Sequence, residues 1–120
     1  MPLVEVDLDQ ELFDRLHQRI SVELQEAQVE VLEIPADDLF QVFRPHASSE
    51  LVFSSTYGGV DRQSLMVIRM TMVHRHPVER KRRLFRRVTE RLATLGVRAE
   101  DVQIVLVENG FEDWFAGTHV

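Results

Sequence analysis

The sequence predicts an α+β fold in which a tandem β-α-β repeat forms a four-stranded mixed sheet with two helices on one face. Three observations support this prediction. Two segments have the apolar spacing of amphipathic helices, each lies between two strand-like segments, and the second set matches the first along the chain. Because each helix is a crossover, we expect parallel flanking strands and right-handed connections.

The two helices are predicted at about residues 10–27 and 77–95. Asp9 is a typical N-cap for the first helix. Pro77 suits the first turn of the second helix, and Gly96 suits its end. The apolar stripes of the two helices coincide when the first helix is aligned with the second: Leu16, Ile20 and Leu24 match Leu84, Val88 and Leu92.

The strand-like segments flank these helices. Residues 3–8 and 65–73 precede them and are rich in Val, Ile and Met. After the helices, residues 36–43 align with residues 99–106, and each copy is a polar turn that leads into an apolar strand. Between the two units we expect a turn at 45–50, a short strand at 51–53 and a flexible loop at 54–59.

These elements indicate one domain spanning residues 1–120, with pseudo-repeats at about 2–46 and 64–108 and a C-terminal tail at 109–120. The tail should leave the last strand through an Asn-Gly turn and cover either the core or a neighbouring subunit. Two helices on one face leave the other face of the sheet bare. Alternating Val, Phe, Met and Ile on that face predict burial against further copies, hence a homo-oligomer.

Composition excludes several classes of protein. Hydrophobic residues make up 44% and charged residues 28%, as in ordinary globular domains. The absence of cysteine excludes disulfides and thiolate metal sites and fits a reducing, cytoplasmic location. No long apolar stretch or signal-peptide pattern is present, so we predict no membrane partner. The net charge of −6 disfavours nucleic acid as a partner.

The charge is unevenly distributed, with acidic residues concentrated in 1–38 and basic residues in 75–91. The basic run covers an apolar helical stripe, which favours the solvated face of an amphipathic helix. Binding of an anion or nucleic acid through residues 79–95 is an alternative, as is an acidic-to-basic contact between copies of the chain.

Pro2 opens directly into the first strand-like segment. An initiator methionine is normally removed before a small residue, which would leave the secondary amine of Pro2 at the terminus. A free α-amino group titrates at about 7.7–8.0, so this amine could act as an acid or base near neutral pH. Alternatively, Met-Pro is merely a common start. If Met1 is retained, the Pro2 nitrogen is an amide without basicity.

Several short segments are informative through their order and spacing. They are Pro2-Leu3, Asp7-Leu8, Pro35, Asp38, Phe40-Gln41, Thr71, Arg75, Ala99-Glu100-Asp101-Val102, Val107-Glu108-Asn109 and Asp113-Trp114. Together they resemble the tautomerase superfamily, which includes 4-oxalocrotonate tautomerase and macrophage migration inhibitory factor. The chain is most similar to the malonate semialdehyde decarboxylase branch, over nearly its full length.

The resemblance implies roles for three residues. Pro2 would be the acid, base or carbonyl-polarising group, and Asp38 would position or activate water. In the family, two arginines near the end of the third long strand bind the substrate carboxylate, and Arg75 matches the first of them. The second falls on Pro77, for which His76 is a poor replacement. This departure weakens the expectation of decarboxylation and leaves proton transfer open.

Each candidate residue also has a structural interpretation. Arg75 could grip a carboxylate bidentately or form a surface salt bridge. Asp38 could be a turn residue, as its repeat-related counterpart Asp101 suggests. Trp114 and Phe115 could wall an apolar substrate pocket or pack at a subunit boundary.

His74 and His76 lie two apart on a predicted strand, where they share a face. No third ligand is evident, so ordinary surface histidines are favoured over a metal site, and we predict no metal and no cofactor.

We therefore expect a tautomerase-like enzyme, a homotrimer by the resemblance, in which Pro2 transfers a proton on a 2-oxo acid or an unsaturated carboxylate. The partner is a small carboxylate-bearing substrate. Decarboxylation or hydration of a 3-oxo acid is one alternative. A non-catalytic oligomeric binding protein on the same scaffold is another.

Overall fold

A computed structural model describes residues 1–117 and contains two helices and four strands. The strands are β1 (Leu3–Asp9), β2 (Gln41–His46), β3 (Met66–Val73) and β4 (Val102–Asn109), and the helices are α1 (Gln10–Leu32) and α2 (Val78–Ala93). The last three residues of the predicted tail, 118–120, lie outside the described residues. No helix of the described chain is both long and apolar enough to cross a membrane.

The sheet has the order β2-β1-β3-β4. β1 is parallel to β2 and β3 is parallel to β4, while the two central strands are antiparallel. The predicted four-stranded mixed sheet with both crossover helices on one face is therefore confirmed. This arrangement brings the start of β1 beside the end of β3, where Leu3 lies opposite Thr71.

α1 begins as predicted, because the Asp9 carboxylate accepts a hydrogen bond from the Glu11 amide at 2.9 Å. It ends at Leu32, five residues beyond the predicted Ala27. The prediction stopped too early because Val31 and Leu32 continue the buried stripe of Leu24. Tertiary packing thus outweighs the modest helix propensity of the β-branched residues near this end.

α2 follows Pro77, which occupies the N-cap position just before the predicted first turn. Leu84, Val88 and Leu92 are fully buried beneath its basic face, as the apolar spacing predicted. Part of that basic face is not a solvated surface but pairs with acidic residues of the same chain. Arg91 lies within 3.3 Å of carboxylate oxygens of three glutamates of α1, Glu23, Glu26 and Glu30. The charge asymmetry therefore helps to hold the two helices of one chain together.

Two predictions between the repeats are wrong. Residues 51–53 form no strand, and the side chain of Val52 is 89% exposed. Pro45 and His46, predicted in a turn, belong to β2. Proline is compatible with this position because β2 is an edge strand, where one side of the backbone needs no partner.

The two faces of the sheet differ in chemistry. The face beneath the helices holds the core, including Val6, Ile68 and Met70. The prediction that Met and Ile line the opposite face is wrong, because the methionines of β3 and Ile68 all point to the helices. The outer face is apolar on β4, where Val105 and Val107 are exposed, and charged on β1 and β2.

Candidate active site

The candidate site lies where β1 starts and β3 ends. Pro2 is buried here beneath the partly exposed Met1. A small cavity of about 20 Å³ occupies this place, enough for roughly one water molecule. Its lining consists of Met1, Pro2, Leu32, Ile34, Met72, Val73, Arg75 and His76. Two sequence-predicted residues, Pro2 and Arg75, therefore share one cavity.

Asp38 approaches the same point from the turn before β2. Its amide donates to the Pro35 carbonyl at 3.0 Å, and its Oδ2 lies 3.8 Å from the amino nitrogen of Met1. Its other oxygen, Oδ1, is buried without a hydrogen-bond partner among residues 1–117. A buried carboxylate oxygen without a donor is costly, so Asp38 is poorly explained as a turn residue alone.

The turn that carries Asp38 is anchored by a residue that the sequence did not single out. Gln25 of α1 donates through Nε2 to the carbonyls of Ala36, at 3.2 Å, and Asp38, at 2.9 Å. Because these hydrogen bonds cross the helix-to-strand connection, they fix the turn against α1. A polar residue on a helix carries no local signal of such a contact.

Arg75 lies two residues after Val73, the last residue of β3, and is exposed. Within the described chain it forms no ion pair and no side-chain hydrogen bond, in contrast to most of the other arginines. The surface salt bridge considered as its alternative role is therefore not observed. A free guanidinium at the mouth of a cavity is suited to a carboxylate ligand.

His74 and His76 do not share a face. Both lie beyond β3, with His74 exposed and 3.0 Å from Glu108 and His76 buried. Burial, together with the charges of Arg75 and Arg80, lowers the pKa of His76, so its imidazole is neutral at neutral pH. No metal-binding group of three side chains was found in the described part of the chain.

Trp114 and Phe115 do not line the cavity of Pro2 in the single chain. The indole of Trp114 donates to Asn109 Oδ1 at 2.8 Å, and Asn109 lies opposite Val73 at the end of the sheet. Trp114 is thus held at the same end of the sheet as Arg75. Phe115 is 68% exposed and lies on the surface of the chain.

Comparison with known proteins identifies the family to which the chain belongs. The family model described as "Tautomerase enzyme" matches residues 38–117. The chain belongs to this tautomerase family. The probable tautomerase YusQ of Bacillus subtilis (strain 168) is 34% identical over 119 residues, which is 98% of this chain and 94% of that protein. The resemblance seen in the sequence is confirmed, and the chain is a tautomerase-like enzyme.

Solved structures confirm the branch and the fold. FG41 malonate semialdehyde decarboxylase, inhibited by 3-bromopropiolate, is 33% identical with a TM-score of 0.92, covering 98% of this chain and 91% of that one. A fused 4-OT symmetric trimer is 18% identical with a TM-score of 0.81, covering 98% and 94%. The second likeness shows that the tautomerase fold is shared.

Proposed function

We propose that this tautomerase uses the secondary amine of Pro2, freed by removal of Met1, to move a proton on a 2-oxo acid or an unsaturated carboxylate. Arg75 binds the carboxylate of the substrate, and Asp38 orients the amine or a water molecule beside it. The observation that carries the proposal is that Pro2 and the unpaired Arg75 line one cavity, with the Asp38 carboxylate at the chain terminus.

Removal of Met1 would have two consequences for this site. It converts the Pro2 nitrogen from an amide into an amine that can accept a proton. It also enlarges a cavity whose present volume of about 20 Å³ is far too small for an oxo acid, because Met1 forms part of its wall. Retention of Met1 would favour the rival interpretation, a non-catalytic binding protein on the same scaffold.

The reaction needs no co-reactant. The neutral amine accepts the proton of an enol hydroxyl while the C2–O bond becomes a carbonyl, and the ammonium then returns a proton to C3. Arg75 holds the carboxylate so that the transferred proton stays near the amine. Substrate and product thus differ only in the position of one proton and one double bond.

The test is Pro2→Ala, assayed with the enol of phenylpyruvate, after intact-mass measurement has shown whether Met1 is absent from the natural protein. We expect a loss of about 10²–10⁴-fold in kcat/KM, the usual contribution of a positioned acid or base. Unchanged activity in a folded Pro2→Ala protein would exclude the proline mechanism, as would a fully retained Met1 in an active enzyme.

Decarboxylation is the second candidate, favoured by the 33% identity to a malonate semialdehyde decarboxylase. A protonated Pro2 could polarise the aldehyde oxygen of malonate semialdehyde while carbon dioxide leaves the adjacent carbon. Release of carbon dioxide by the wild type, lost in Arg75→Gln, would support this reaction over tautomerisation.

We further propose that the protein is a homotrimer. The valines on the outer face of β4 are exposed in the single chain, as is Phe115 of the tail. The structure of fused 4-OT, which shares the fold, is described as a trimer. Light scattering after gel filtration tests this assembly, and a monomeric mass would contradict it.

A further inference from the structure

His76 is the one buried histidine of the described chain, and the mechanism proposed above gives it no role. It follows Arg75 directly and lines the cavity that contains Pro2. Because proline disfavours helical backbone in the residue before it, Pro77 keeps His76 out of α2 and in the loop that borders the site. Its imidazole makes no hydrogen bond within residues 1–117, so its nitrogens are available to a ligand.

The charged groups that surround His76 come from three elements. Arg75 lies beside it in the loop, Arg80 and Lys81 approach from α2, and Glu108 approaches from β4. Lys81 is held by Glu108 at 2.6 Å, and Arg80 lies 3.9 Å from Glu33, so both cations have carboxylate partners. The unpaired charge at the cavity is therefore that of Arg75, beside a neutral imidazole.

We propose that His76 determines the substrate class, restricting the site to 2-oxo acids with a single carboxylate. Arg75 takes that carboxylate, and the neutral imidazole hydrogen-bonds the oxo or enol oxygen, or packs against an uncharged substituent at C3. A second carboxylate in this place would be desolvated without a cation, which is costly. This inference rests on the function proposed above.

The experiment compares phenylenolpyruvate, with one carboxylate, and the enol of oxaloacetate, with two. We expect the wild type to prefer the first substrate. His76→Arg should shift the ratio of the two kcat/KM values roughly tenfold or more towards the dicarboxylate, since it supplies a charge-assisted partner. His76→Gln, which keeps a neutral hydrogen-bonding group, should retain the wild-type preference. His74→Gln is the matched control outside the cavity and should change nothing.

The pH dependence gives a readout that a merely structural role would not produce. Protonation of His76 at low pH adds a second positive charge, so the wild type should lose part of its preference for the monocarboxylate as the pH falls, whereas His76→Gln should not. An unchanged substrate ratio in His76→Arg, or an equal pH response in His76→Gln, would overturn the proposal.

Ligand binding separates this inference from the proposed reaction. Calorimetry with 3-phenylpropionate and glutarate needs no turnover. Tighter binding of the monocarboxylate by the wild type, reversed in His76→Arg, would support the role of His76 even if Pro2→Ala shows the proline mechanism to be wrong. Equal binding of the two ligands by both proteins would contradict the role of His76 even if Pro2 is essential.

Discussion

The two β-α-β halves contain the same turn before their second strand, but use its aspartate differently. The Asp38 amide donates a hydrogen bond to the Pro35 carbonyl at 3.0 Å, and the Asp101 amide donates one to the Arg98 carbonyl at 3.0 Å. The Asp101 carboxylate is used for structure, because its Oδ1 accepts hydrogen bonds from the amides of Gln63 and Ser64 at 2.7 and 3.2 Å. The carboxylate of Asp38 has no such partners among the described residues and faces the chain terminus.

The difference follows from the residue two positions before the first buried residue of the first strand in each half. Two positions before Val4, the first buried residue of β1, is Pro2. Two positions before Met66, the first buried residue of β3, is Ser64. Ser64 has an amide to donate to Asp101, whereas Pro2, with Met1 attached, has none. The first half therefore keeps a carboxylate free at the position that the second half uses for structure. A free Pro2 amine would restore a donor there.

Among the changes that compare the two halves, the largest effect should come from Asp38. Asp38→Asn is expected to lower kcat/KM for tautomerisation about 10²-fold, because it removes the charge that we propose orients the amine. Its free energy of unfolding, measured in urea, should stay near that of the wild type. The exposed neighbour Asp37 provides the control: Asp37→Asn should leave both quantities unchanged. A stability loss without an activity loss in Asp38→Asn would make Asp38 a turn residue after all.

Asp101→Ala should show the reverse behaviour. It removes the acceptor of two part-buried backbone hydrogen bonds, each of which contributes about 0.5–1.5 kcal/mol to the free energy of unfolding. Activity at a temperature where the variant is folded should persist. Asp38→Ala, measured in the same urea titration, is the matched comparison and should lose less stability. Equal losses of unfolding free energy in the two variants would show that the two aspartates contribute equally to structure, and would contradict the difference between the halves.

A smaller effect is expected from the outer face, where the first half carries a cluster of charged side chains around Asp7. Asp7 binds His46 at 2.7 Å and Arg44 at 3.0 Å, and its hydrogen bond raises the pKa of His46. Because the folded protein holds this proton more tightly, the stabilisation is present below about pH 6.5, the ordinary value for histidine, and is lost as the pH rises through the raised value. His46→Gln should flatten this part of the profile of stability against pH. An unchanged profile in His46→Gln would mean that another group causes it.

Much of the fold could be predicted because helices and strands leave a periodic signal. The stripe of Leu84, Val88 and Leu92 placed α2 correctly, and Asp9 marked the start of α1. The prediction failed where tertiary packing decides. α1 continues to Leu32 because its last turn is buried. Pro45 is accommodated in β2 because the strand is at an edge.

The candidate site was only partly predictable for a similar reason. Pro2 was indicated by its position in the chain, and Asp38 and Arg75 were indicated by the family resemblance. Local sequence does not predict the burial of His76 or the hydrogen bonds from Gln25 to the turn that carries Asp38. Each of these depends on elements that are far apart in the chain. The proximity of Trp114 to the end of β3 likewise depends on a hydrogen bond to Asn109.

The two amphipathic helices, the duplicated β-α-β order and the proline at the start of β1 can be inferred without a structure, since each depends on residues that are neighbours in the chain. Packing, by contrast, determines that Arg75 has no partner among residues 1–117, that the pKa of His76 is lowered, and that Asp38 Oδ1 is unsatisfied while Asp101 Oδ1 is not. Charge and hydrogen-bond satisfaction depend on which groups are brought within a few ångströms of each other, and that is determined by packing across the antiparallel β1–β3 pair and the helices above it.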